Sequence, residues 1–80
     1  MPKLKNLSGS DLIKLFESFG FSIASQKGSH IKIFRIQSGE RQVPVFPNHK
    51  EIDKGTLRAI YRQASKYISE NELNKLFYSE

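Results

Sequence analysis

Along the 80-residue chain the spacing of apolar positions changes period twice, and each change marks a new kind of element. Leu12, Leu15, Phe16 and Phe19 recur at i, i+3, i+4 and i+7, which predicts a helix over residues 8–19 with one buried stripe. Ser8 or Ser10 can cap its start, Asp11 suits the positive end of its dipole, and Gly20 is placed to stop it.

From residue 21 to 46 the period falls to two. Phe21, Ile23 and Ser25 alternate with Ser22, Ala24 and Gln26, and Ile31 and Ile33 alternate with His30, Lys32 and Phe34. After Gln37-Ser38-Gly39-Glu40, Val43 and Val45 alternate with Gln42 and Pro44. Three short strands joined by tight turns predict an antiparallel meander with one apolar and one polar face. Pro44 has no N–H for a ladder, so the third strand is expected at an edge or with a bulge. With Ile31 and Ile33 inward, His30 and Lys32 face solvent. Phe34 then lands outside as well, either as a stacking or partner surface or under the tail or a neighbouring loop.

Helical spacing returns after a loop at 47–52. Asp53 reads as an N-cap, and Leu57, Ile60, Tyr61 and Ala64 give the second helix its buried stripe. Lys54, Arg58, Arg62 and Lys66 recur every four residues along one exposed face. A third helix begins at Ser69, with Glu72 completing a capping box and Ile68 and Leu73 a hydrophobic staple; Leu73, Leu76 and Phe77 are its packing face. The order α-β-β-β-α-α places the chain in the α+β class, as a single domain over residues 1–80.

Charge sharpens this outline. The chain carries 13 Lys and Arg against 8 Asp and Glu. Nine of the basic residues (Lys27, Lys32, Arg35, Arg41, Lys50, Lys54, Arg58, Arg62, Lys66) and only three acidic ones lie within residues 27–66. Such a localised field attracts phosphate or an acidic partner, unless it is a solubilising surface. The absence of Cys rules out disulfides, thiolate metal sites and a Cys nucleophile, and fits a reducing compartment. Neither a signal peptide nor a membrane span is legible, so a cytoplasmic protein with no membrane partner is expected.

Two residues can move protons near neutral pH, His30 and His49. RNA is a fitting substrate for such a group, because its 2′-OH is a nucleophile built in beside the scissile phosphate. A base to remove that proton and a cation to meet the phosphate charge suffice, without a metal. His30 has Lys27 and Lys32 nearby, Gly28 allows a tight turn or close approach, and Ser29 adds a hydroxyl. On pattern alone a lone His between lysines is more often an ordinary surface residue. His49, in Pro47-Asn48-His49-Lys50, is either a second proton-transfer group or a plain loop residue. Two His with Glu51 and Asp53 match no zinc spacing, and no phosphate-cradling glycine loop is present. The stripe Lys54/Arg58/Arg62 with Lys66 can follow phosphates by shape, or serve as a solvated helix face.

Several blocks in this order carry a family resemblance. Gln26-Lys27-Gly28-Ser29-His30, Val43-Pro44, Lys54-Gly55-Thr56-Leu57-Arg58-Ala59-Ile60 and Arg62-Gln63-Ala64 resemble the HicA toxins of bacteria and archaea, as do Asp11-Leu12-Ile13-Lys14-Leu15 and Phe19-Gly20-Phe21. The likeness runs through about residues 7–65. It implies a double-stranded-RNA-binding-domain-like fold, α-β-β-β-α, with residues 66–80 as a C-terminal helical extension. It also implies an mRNA interferase of a type II toxin–antitoxin system, acting in the stress response, needing no cofactor and inhibited by a HicB-like antitoxin. His30 maps onto the family's catalytic His; Lys27, Gly28 and Ser29 match the same motif, and Gly55-Thr56-Leu57 a structural one. Many members carry a second His directly after the first, where this chain has Ile31. Two other classes compete with the toxin: a non-catalytic RNA-binding module, and an interaction protein whose basic face meets an acidic partner.

Overall fold

The computed structural model describes residues 3–79. In chain order the elements are β1 (Lys3–Leu4), α1 (Gly9–Glu17), β2 (Ser22–Lys27), β3 (His30–Gln37), β4 (Glu40–Gln42), β5 (Val45–Pro47), α2 (Lys54–Ala64), α3 (Glu70–Phe77) and β6 (Tyr78–Ser79).

Local chemistry sets the boundaries. Ser8 caps α1 reciprocally: its hydroxyl accepts from the Asp11 N–H at 3.0 Å, and the Asp11 carboxylate accepts from the Ser8 N–H at 2.9 Å. At the far end Gly20 takes φ +91°, and the Phe21 and Gly20 N–H groups donate to the Phe16 and Glu17 carbonyls. Those two bonds are a Schellman closure, which needs a left-handed residue at Gly20. The β3–β4 turn has both central residues at positive φ, Ser38 at 55° and Gly39 at 76°, as a type I′ hairpin requires.

The sheet is antiparallel, with β3 between β2 on one side and β4 and β5 on the other. Arg35 faces Gln42 and Lys32 faces Val45, so β4 and β5 share one continuous register along β3. They are a single edge strand interrupted at Val43-Pro44. Pro44 supplies no N–H there, while its carbonyl still accepts from the Ile33 N–H at 3.1 Å. The expected meander and its edge position are both present.

The face of that third strand differs from the expectation. Gln42, Pro44 and Phe46 are buried, whereas Val43 is half-buried and Val45 exposed. Pairing decides this: cross-strand partners share a face, so Phe46 opposite Ile31 must point inward with it. Phe46, a larger side chain than Val45, then fills the core and stacks on Phe16 with ring centroids 5.7 Å apart. Along β2 every side chain is exposed, and the register shifts between Ile23 and Ser25.

Inward-facing Ile31, Ile33 and Phe46 meet Leu12, Leu15 and Phe16 of α1 and Leu57, Ile60 and Ala64 of α2 in one cluster. The outward residues His30, Lys32, Ile36 and Val45 stay exposed, so all helices lie on one side of the sheet. The result is two layers, α-β-β-β-α, the double-stranded-RNA-binding-domain-like arrangement.

Residues 66–79 are built into that core. Ile68, Leu73 and Phe77 belong to the buried cluster. Ser69 caps α3 by accepting from the Glu72 N–H, and the Glu72 carboxylate takes the Ser69 hydroxyl, not its backbone N–H, as partner. The Tyr61 hydroxyl donates to Asn74 Oδ1 at 2.7 Å, tying α2 to α3, and burial pushes that phenol's pKa up. The N-terminal segment closes on the same end: β1 pairs with β6, and the Lys5 N–H donates to the Phe77 carbonyl at 2.8 Å. This small sheet of the two chain ends has no counterpart in the sequence reading.

Candidate functional site

Gly28 and Ser29 form the two-residue turn between β2 and β3, with Lys27 and His30 as the closing pair. Gly28 has φ +61° and Ser29 does not share a positive φ, the pattern of a type II′ hairpin, whose first central position favours Gly. A Cβ at Gly28 would meet nothing within 4 Å, so backbone conformation alone calls for glycine there. The turn thus places His30 as the first residue of β3.

His30, Lys27 and Lys32 are exposed on the outer face. Lys27 is directly opposite His30 across the ladder, and Lys32 lies two residues along the same face. The geometry therefore brings together Lys27, Gly28, Ser29, His30 and Lys32, as the motif reading expects. A third strand segment joins them: His30 faces Pro47, and the Asn48 N–H donates to the Ser29 carbonyl at 2.5 Å. The loop that carries His49 and Lys50 therefore starts beside the hairpin turn. It is held from behind, because the Gly9 N–H donates to the His49 carbonyl at 2.8 Å and the Ile52 N–H to the Leu7 carbonyl at 3.1 Å. Gly9 has to be glycine for this approach, since a Cβ there would overlap Asn48. Sequence reasoning missed Asn48 and Gly9, and no local signal marks either as a strap.

The helix stripe divides. Arg58 and Arg62 are exposed on α2, whose buried side packs on the inner face of the sheet, so they point away from His30; Lys66 is exposed in the turn after the helix. Lys54 is half-buried, and its ammonium donates to the Leu4 carbonyl (2.7 Å), the Lys5 carbonyl (3.1 Å) and Asn6 Oδ1 (2.8 Å). All three of its protons are used to hold the N-terminal segment. Phe34 is half-buried on the outer face with the Arg41 guanidinium 5.2 Å from its ring centroid, so a neighbouring strand covers it.

Asp53 caps α2, accepting from the Thr56 N–H at 3.0 Å and the Thr56 hydroxyl at 2.6 Å, and these bonds lower its carboxyl pKa. Among the described residues no three His, Cys, Asp or Glu side chains converge as a metal site, and no helix is long and apolar enough to cross a membrane. An exposed imidazole among ammonium groups, on a rigid two-residue turn, can take a proton beside a bound phosphodiester.

The family model described as the HicA toxin of bacterial toxin–antitoxin systems matches residues 9–65. The chain belongs to the HicA toxin family. The matched stretch begins at α1 and ends just after α2, so it takes in the hairpin with His30, the strap at Asn48 and the stripe on α2. The parts of this HicA-family chain outside it are the paired ends, β1 with β6, and α3. No curated protein and no solved structure matched the chain.

Proposed function

We propose that this toxin is an endoribonuclease, an mRNA interferase that cuts cytoplasmic mRNA without a metal ion and is silenced by a HicB-like antitoxin. The observation that carries the reading is the placement of His30: exposed, fixed by a two-residue turn, and on one face with Lys27 and Lys32. In this scheme His30 removes the 2′-hydroxyl proton, and the two ammonium groups meet the charge that builds on the phosphate oxygens. Gly28 and Ser29 let backbone and hydroxyl approach the RNA. Arg58 and Arg62, on the other side of the molecule, would hold RNA that continues past the cut. Lys54 has no part in this binding, since its protons are spent internally. A silencing antitoxin would present an acidic surface to the same basic face.

The test is induced expression of wild type and His30→Ala, scored for growth arrest and RNA integrity. His30→Ala is expected to keep its melting temperature, because the side chain is exposed, and to lose roughly 100-fold or more of its cleavage rate. Cleavage by the wild type is expected to continue in EDTA. A fully active His30→Ala protein overturns the assignment.

A further inference from the structure

A 2′-OH transesterification moves two protons, one off the nucleophile and one onto the leaving oxygen. His30 accounts only for the first. The chain has two imidazoles, in segments nineteen residues apart, and the fold brings both to the hairpin end of the sheet. His30 pairs with Pro47, the last residue of β5, and His49 follows two residues later in the loop that leaves that strand. Its loop is fixed at Asn48, whose N–H donates to the Ser29 carbonyl, and at His49 itself, whose carbonyl accepts from the Gly9 N–H. Both bonds are made by backbone; among the described residues the His49 ring has no hydrogen-bond partner, and the residue is exposed.

We propose that His49 is the general acid of the cleavage, facing His30 across the scissile phosphate; the inference rests on the endoribonuclease reading. His30, flanked by the lysines that meet the phosphate oxygens, takes the 2′-hydroxyl proton. The 2′-oxygen forms its bond to phosphorus while the bond from phosphorus to the 5′-oxygen breaks. The electron pair leaves with the 5′-oxygen, which receives the proton of the His49 imidazolium. The products are a 2′,3′-cyclic phosphate and a free 5′-hydroxyl. The two imidazoles end with their protons exchanged, and solvent restores them.

The test uses the purified full chain and an oligoribonucleotide spanning a mapped cleavage linkage, in two forms. One is natural; the other has sulfur in place of the bridging 5′-oxygen at that linkage, and a thiolate leaves without being protonated. His49→Ala is expected to cut the natural oligonucleotide about 100-fold more slowly or worse, and the sulfur form within a few-fold of wild type. His30→Ala is expected to be slow on both. Matching circular dichroism and melting temperatures check that the backbone straps survive. The proposal is overturned if His49→Ala cuts the natural form at the wild-type rate, or loses equally on both forms. Should the wild type cut neither form, the endoribonuclease reading falls and this one with it; should wild type and His49→Ala cut alike, this one falls alone.

Discussion

Arg35 is the clearest case of a single residue whose role depends on what its neighbours leave unpaired. It lies on the inner face, where its guanidinium donates to Gln42 Oε1 (2.7 Å), the Phe19 carbonyl (2.8 Å) and the Tyr67 carbonyl (3.0 Å), and sits 4.6 Å from the Phe21 ring centroid. One side chain thereby joins the edge strand, the exit of α1 and the α2–α3 connection. Arg35→Ala strands those acceptors and is expected to cost about 2–3 kcal/mol in urea unfolding, with an unchanged m-value. Arg35→Lys should recover little, because an ammonium cannot reproduce the planar fork. The helix caps give a pH prediction of definite sign. Hydrogen bonds from Ser8 lower the Asp11 pKa, and those from Thr56 lower that of Asp53. The folded state therefore holds these protons less tightly than the unfolded chain. Their stabilisation is complete above the usual carboxylate value of about 4 and drains away as pH falls through the lower folded values. Thermal melts should show a flat midpoint from pH 7 to 5 and a decline below about pH 4, blunted in an Asp53→Asn, Asp11→Asn double variant. Neither Arg35 nor Lys54 was distinguishable in sequence from the exposed cations around it. A Lys or Arg reads alike whether it faces water or a carbonyl, so the exposed basic field is smaller than the sequence alone suggests by these two residues.

Among the elements, those marked by local chemistry were legible and those fixed by pairing were not. Ser8, Gly20, Asp53 and Ser69 each carry a cap or stop that can be read within four residues, and all four act where the sequence places them. The faces of β3 were equally readable from Ile31 and Ile33. The buried face of the third strand is not legible in the sequence, because Val43 and Val45 are good strand residues on either face. Only the register that sets Phe46 against Ile31 reveals which face is buried. The strap between α1 and the 48–52 loop is a still longer-range fact, and it makes Gly9 a positioning residue. A methyl group at Gly9 overlaps Asn48, so the loop must move. Gly9→Ala is expected to lower stability by about 1–3 kcal/mol through overpacking. It should also slow RNA cleavage by up to roughly 100-fold, because Asn48 bonds the turn that carries His30. A Gly20→Ala control separates the two effects. That glycine is needed only for its φ, and its added methyl meets nothing, so its loss of about 1 kcal/mol should leave the cleavage rate of the folded protein unchanged. Equal slowing in both variants would refute the positioning role.

On the scale of the whole molecule, the question is whether α3 decorates a complete domain or completes it. The family match ends at residue 65, and the α-β-β-β-α layout is finished by then. Burial argues the opposite for this chain. Ile68 is 5% exposed, and Leu73 and Phe77 are fully buried in the cluster that holds Leu57 and Ile60. At about 1.5–3 kcal/mol for each such side chain, these three contribute roughly 5–9 kcal/mol before any entropy cost. The whole stability of a domain is about 5–15 kcal/mol, so the extension is comparable to all of it. Its loss would also remove the Tyr67 carbonyl from Arg35, the Asn74 partner of Tyr61, and the strand that pairs with Lys3 and Leu4. A chain ending at Ser65 is therefore expected to show no cooperative thermal or urea transition, although every family motif is intact. Phe77→Ala in the full chain should still fold, with a loss of about 3–5 kcal/mol. Circular dichroism of the two proteins across a urea series decides the matter. A truncated chain that unfolds cooperatively at the full-length midpoint would mean that the α-β-β-β-α core stands without its C-terminal helix.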